Sequence, residues 1–309
     1  MYLSIISPVY QSENILNELI KKILAEVTQI TEDFEIIFID DGSLDNSWNK
    51  IQNACCANMK IKGIKLSRNF GQHYAITAGL RESRGEFVVV MDCDLQDNPK
   101  YISKLIKKAN EGYDVVLTTH EVSKHSLVKN IFSRLFYKAF NTLVSDEGMK
   151  NGGKYGALSI LSRKVVDSFC DFNDYHRQYI PILKWLGFST TEMEVEHDIR
   201  FEGQSSYSFI LLLKLAVDGI ISHSERLLKF SIYAGFIFAF IGFNSIIYIV
   251  FQYFNYGFQS GWASLIVSII FSTGLILISL GIVGIYIGKT FEQTKSRPLY
   301  VIDKKVNMD

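Results

Sequence analysis

Three aspartates, Asp92, Asp94 and Asp97, follow an apolar run in the segment "FVVVMDCDLQDNP", Phe87 to Pro99. A carboxylate withdrawn from water keeps its charge only with solvent, donors or a cation beside it. Asp92 and Asp94 flank Cys93 at the expected end of a strand, where side-chain alternation aims both carboxylates in roughly one direction. Two hard anionic ligands with open positions suit Mg²⁺ or Mn²⁺, which completes its octahedron with water and a diphosphate. Asp97, beside Asn98 and Pro99, equally suits a helix N-terminus.

Two further apolar runs end in polar groups. Ser7-Pro8-Val9-Tyr10 closes one and Asp40-Asp41-Gly42-Ser43 the other. Ser-Pro and Asp-Gly also serve as plain turn residues. In open parallel sheets, however, ligands bind beyond the carboxyl ends of the strands, so three such ends on one rim favour a site.

The elements that must carry these groups are legible. "LSIISPVY", "FEIIFIDD", "IKGIKLS", "EFVVVMD" and "YDVVLTT" are continuous β-branched runs, the mark of strands buried on both faces. Between them lie helical stripes: Ile15, Leu16, Leu19, Ile20, Ile23, Leu24 and Val27, then Tyr101, Ile102, Leu105, Ile106 and Ala109 behind Pro99. Residues 3 to 120 therefore predict an α/β domain of parallel βαβ units in a doubly wound, Rossmann-like sheet. Beyond residue 120 the alternation stops. Val128, Ile131, Phe132, Leu135, Phe136, Phe140 and Leu143 form a stripe that suits a membrane surface or a core equally. Ser208 to Leu228 has the same character and runs into an apolar segment, which favours the interfacial reading there.

No Asp, Glu, Lys or Arg occurs between Lys229 and Lys289. A bilayer-spanning helix needs about 20 apolar residues, so there is room for two spans, Phe230 to Phe254 and Ala263 to Gly288, broken at Asn255 to Gly261. Arg226 and Lys229 precede the first; Lys289, Lys295, Arg297, Lys304 and Lys305 follow the second. The positive-inside rule then puts both termini in the cytoplasm of a multi-pass inner-membrane protein. The N-terminus has no signal-peptide pattern, which keeps the first 225 or so residues cytosolic. The resulting division is 1–207 catalytic domain, 208–229 amphipathic juxtamembrane helix, 230–288 two transmembrane helices and 289–309 cytosolic tail.

At 309 residues and 48% apolar the chain can bury a large core, and its formal net charge of zero argues against a nucleic-acid partner. Cys55, Cys56, Cys93 and Cys170 lack zinc-like spacing and read as reduced thiols. No GxGxxG follows the first strand, which disfavours a dinucleotide dehydrogenase. "GIYIGKT", Gly284 to Thr290, is one residue short of a P-loop and closes an apolar span.

Taken together, "SPVYQSENI", "FIDDGSLDNS", "LSRNFGQHYAITAGL", "VVVMDCDLQDNP", "RFEGQSSYS" and "GIYIGKTFEQTKSRP" resemble the family 2 glycosyltransferases with the GT-A fold. More narrowly they resemble the polyprenyl-phosphate branch related to dolichyl-phosphate mannose synthase and the bacterial undecaprenyl-phosphate sugar transferases. The resemblance covers nearly the whole chain. It implies that Pro8, Tyr10 and Glu13 contact the nucleoside, Asp41 reads base or ribose, and Arg68 and Asp92 serve the donor site. It implies Asp92, Asp94 and Gln96 as the metal set for Mg²⁺ or Mn²⁺, with Asp94 and Arg200 catalytic. Arg200, Ser205 and Ser206 match the segment that binds the acceptor phosphate. The partners implied are a nucleotide-sugar donor, polyprenyl phosphate, the bilayer and a second copy of the chain.

Two departures stand out. "NGGKYGALSIL" puts Lys154 or Ala157 where relatives carry the acid of a "GD" pair, and "GQSS" replaces "GxSK", removing a cation that Lys154 can replace. "RNFGQH" and "YIPIL" lean toward the branch that transfers amino-deoxy or formamido pentoses. A processive synthase of the same fold would carry more spans and "QxxRW", which "RQYIPILKW" does not fit. A non-catalytic scaffold or flippase partner would fit the departures but leaves Asp92 and Asp94 as an uncompensated cost.

Overall fold

The structure is a computed structural model, described for residues 1–119, 155–172, 174–175, 177–196, 226–256 and 261–308. The stripe over 128–143, residues 208–225 and the candidates Lys154, Arg200, Ser205 and Ser206 lie outside the described residues. The chain divides into two compact units.

The first unit begins with alternating strands and helices: β1 Leu3–Val9, α1 Glu13–Ile30, β2 Phe34–Asp40, α2 Ser47–Ala57, β3 Ile61–Leu66, α3 Gln72–Glu82 and β4 Phe87–Val90. A 3₁₀ turn, Pro99–Tyr101, leads into α4 Ile102–Asn110 and β5 Val115–Thr119. Then come β6 Tyr155–Ser162, α5 Arg163–Asp171, α6 Tyr179–Trp185 and β7 Thr190–Glu194. The five runs read as strands are all strands, and β1 and β2 are buried along their whole length. Helices cover both faces. Ile15, Leu16, Leu19, Ile23 and Val27 of α1 pack with Phe34, Ile36 and Phe38 on one side. Ile76, Ala78 and Leu80 of α3 pack with Ile6, Ile37 and Ile39 on the other.

The sheet runs β7-β5-β6-β4-β1-β2-β3-β8, where β8 is Ile302–Val306. β1, β2, β3 and β4 pair in parallel, as expected. β5 does not continue that array. β6 lies between β4 and β5, antiparallel to both, so the doubly wound pattern becomes a mixed sheet on that side. Part of the segment 289–309, read as a cytosolic tail, also belongs to the sheet: β8 pairs antiparallel with β3. Asn307 Nδ2 donates to the Cys55 and Ile61 carbonyls, and Lys305 pairs with Glu82 at 2.7 Å, so this strand is held at both its backbone and its side chains.

The second unit contributes α7 Arg226–Tyr256 and α8 Trp262–Thr294. Both helices sit where spans were expected. Within α8, Phe271–Thr294 has a mean hydropathy of 2.0 and none of it is buried; among the described residues it alone is long and apolar enough to cross a membrane. The corresponding stretch of α7, Ser231–Ser245, is shorter. Polar side chains here satisfy themselves within their helix. Asn244, Ser245, Asn255 and Thr290 each donate to the carbonyl four residues earlier, which removes the cost of carrying a lone donor in apolar surroundings.

Candidate functional site

β1, β2 and β4 point their carboxyl ends at one rim, and a cavity of about 620 Å³ opens there. Pro8, Val9, Tyr10, Glu13, Asp41, Asp92 and Asp94 line it. Residues read separately from three strand ends are thus gathered in one place. Tyr10 is 42% exposed, an aromatic face open to a planar ligand.

The floor is held by reciprocal bonds between two loops. After β1, Gln11 takes a left-handed backbone, φ 48°, and its amide donates to Ser43 Oγ at 3.0 Å. The Ser12 amide donates to Ser47 Oγ at 3.0 Å. No side chain from Ser12 caps α1; Asp45 does so from the other loop, accepting the Glu13 amide at 3.2 Å. Glu13 returns the favour by accepting the Asn46 amide at 2.7 Å. The Glu13 carboxylate, expected at the nucleoside, therefore also fixes one loop against the other. Partial burial works against the Asp45 charge, but bonds from Ser47 and Glu13 together hold its carboxyl below the usual range.

Asp41 is buried and grips the loop after β3. One carboxylate oxygen accepts the Phe70 amide and the other the Gly71 amide, each at 2.8 Å. Burial pushes its carboxyl up, against the pull of those amides and of Arg68. Gly42 follows at φ 68°, and a Cβ there would fall within 2.6 Å of the Asn69 nitrogen. Only glycine fits this approach. Arg68 is not part of the cavity lining: its guanidinium lies 4.1 Å from the Phe70 ring centroid and Nη1 donates to the Asn69 carbonyl.

β4 ends at Val90, so Asp92, Cys93 and Asp94 occupy the turn beyond it rather than the strand. Asp92 Oδ1 accepts Gln72 Nε2 at 2.5 Å, and Asp94 Oδ1 accepts the Gln96 amide at 3.1 Å. Leu95, at φ 59°, turns the chain between Asp94 and Gln96. Both carboxylates line the cavity; the Gln96 side chain does not. Asp97 turns inward and accepts the Leu158 amide of β6 at 3.2 Å, while Asn98 caps the following helical turn through Lys100. Cys93 sits 3.2 Å from Ser12 Oγ, and burial pushes its thiol up to about 11.

The donor set at Asp92 and Asp94 is two hard oxygen ligands, which fits Mg²⁺ or Mn²⁺ when a ligand supplies the rest. Among the described residues no group of three or more His, Cys, Asp or Glu forms a self-sufficient cage. Several lining residues were not foreseen. Gln72, Asn69, Asn14 and Asp45 all border the cavity, and only their membership of the quoted motifs marked them.

These features define an α/β protein with a carboxylate-lined cleft at the carboxyl rim of its sheet. The chain belongs to glycosyl transferase family 2, whose family model matches residues 4–169, and it is a glycosyltransferase. It is 32% identical over 308 residues to the uncharacterized glycosyltransferase YkcC of Bacillus subtilis, covering 99% of this chain and 94% of that one. It is 34% identical to the putative glycosyltransferase CsbB of the same organism, over 99% and 92% of the two chains. Among solved structures it is similar to glucosyl-3-phosphoglycerate synthase from Mycobacterium tuberculosis in complex with Mn²⁺, uridine diphosphate and phosphoglyceric acid. That similarity has 15% identity and a TM-score of 0.49, over 74% of this chain and 78% of that one. S. aureus TarS in complex with UDP-GlcNAc matches at 20% identity and a TM-score of 0.44, over 77% and 72%.

Proposed function

We propose that the protein transfers a sugar, with inversion, from a nucleotide-sugar donor to polyprenyl phosphate, undecaprenyl phosphate in bacteria, at the cytoplasmic membrane face. The observation that carries this reading is that Tyr10, Asp41, Asp92 and Asp94 line one cavity. A nucleoside fits the first pair and a diphosphate with its divalent cation fits the second. The exposed apolar surface of α8 supports a lipid acceptor, because it can hold the chain at the bilayer where such an acceptor resides.

A bound Mg²⁺ or Mn²⁺ acts as a Lewis acid toward the departing diphosphate. Asp92 and Asp94 are the residues that would hold it. Tyr10 offers a stacking face, and the Asp41 clamp keeps the loop at 70–71 in place beside it. The acceptor phosphate, with a second ionisation near pH 6, is already largely an anionic nucleophile. No general base is required. Arg200, Ser205, Ser206 and Lys154 are the proposed acceptor-phosphate contacts, screening one anion from the other so that both align for attack.

The test is incubation of membranes containing the full chain with a panel of nucleotide sugars, Mg²⁺ or Mn²⁺, and polyprenyl phosphate. Lipid-linked product that is lost in Asp94→Ala supports the reading. Absence of transfer from every donor overturns it.

A further inference from the structure

Three consecutive side chains in the first turn of α3 reach three separate segments. Gln72 Nε2 donates to Asp92 Oδ1 at 2.5 Å. His73 Nδ1 accepts the Tyr179 amide at 3.4 Å, at the start of α6. The Tyr74 hydroxyl donates to the Tyr175 carbonyl at 2.5 Å. Immediately before them, the Phe70 and Gly71 amides are held by Asp41. The turn is therefore anchored on both sides of Gln72, and Gln72 itself borders the cavity together with Asp92.

We propose that Gln72 is a positioning residue that orients Asp92 toward the cation and diphosphate of the donor, a role that rests on the reading under Proposed function. Asp92 lies past the end of β4, in a turn where no strand ladder sets its backbone. Its carboxylate direction is set by side-chain partners, and the Gln72 amide is one of them. Glutamine suits the task chemically. It donates to one oxygen without neutralising the carboxylate, as lysine would. A long side chain loses rotamer freedom when held; here much of that ordering is already imposed by the bonds at positions 70, 71, 73 and 74.

The test compares full-length wild type with Gln72→Met and Gln72→Leu, which both remove the donor and its polarity without adding charge. Mn²⁺ binding is read by electron paramagnetic resonance with UDP or GDP present, and uridine and guanosine affinity is measured separately by calorimetry. The expected result is Mn²⁺ retention at least tenfold weaker in both variants, with nucleoside affinity and melting temperature nearly unchanged. Equal Mn²⁺ retention in wild type and variants overturns the role of Gln72 and leaves the donor reading standing. A parallel loss of nucleoside and Mn²⁺ binding also overturns it, because that pattern means the whole loop has collapsed. Wild type that retains no Mn²⁺ with either nucleotide overturns the donor reading, and the role of Gln72 with it.

Discussion

Asp41 and Gly71 are joined by a 2.8 Å bond from the glycine amide to the carboxylate, and the second oxygen of the same carboxylate takes the Phe70 amide. One buried side chain thus closes the loop after β3 onto the loop after β2. Hydrogen bonds to a charged group contribute about 1.5–3 kcal/mol each. Asp41→Asn keeps one acceptor and turns the other into a donor facing an N–H. We expect roughly 2 kcal/mol of lost stability and at least tenfold weaker nucleotide binding, measured by denaturant unfolding and calorimetry. Wild-type affinity in the variant would show that the clamp does not serve the site.

Asp40, fully buried beside it, predicts a pH effect of definite sign. Burial pushes its carboxyl above the ordinary 3.8, opposed by Ser43 and Lys65. A raised native value means that the folded state holds its proton more tightly than the unfolded chain. That contribution to stability is fully present below 3.8 and is lost as pH rises through the native value. Asp40→Asn removes it, so the stability of the variant relative to wild type should climb as pH rises above 3.8. A difference independent of pH would contradict the assignment.

Glu35, fully buried, pairs with Lys62 at 2.6 Å and accepts Ser4 Oγ and the Arg84 amide. Removing one partner of a buried pair typically costs 3–5 kcal/mol, whereas replacing both is far milder. Lys62→Met should lower stability by about 3 kcal/mol, and adding Glu35→Gln should recover most of it. The double-mutant cycle measures the coupling directly.

The thiols should differ sharply in reactivity. Burial pushes Cys55, Cys93 and Cys170 up to about 11, whereas Cys56 is exposed. A disulfide-exchange reagent at pH 7.5 should modify Cys56 rapidly, the half-buried Cys93 and Cys170 slowly, and the buried Cys55 only once denaturant is added, since the thiolate is the reacting form. Labelling of Cys55 as fast as Cys56, read by peptide mass, would contradict the burial of its thiol.

The strands of the parallel half were legible because burial on both faces writes an unbroken apolar run, as in Ile36 to Ile39. The order of strands was not. β6 slots between β4 and β5 through pairings such as Val89 with Ile160, and no local pattern encodes so distant a partner. β8 escaped notice for a different reason: "IDKKV" is an edge strand with three exposed central residues, and charge on an edge disguises it as a tail. At the site, the carboxylates were visible as types and positions. Their partners were not, because Gln72 carries no signature of its own and meets Asp92 only after folding.

The placement of β8 gives the chain an order of completion. The apolar helices α7 and α8 come between β7 and β8 in sequence, yet both strands belong to one sheet. During synthesis the ribosome must therefore emit both helices before the outer flank of β3 can be covered. A nascent chain arrested in α8 would carry a sheet with one raw margin, and quality-control proteases would meet it in that state.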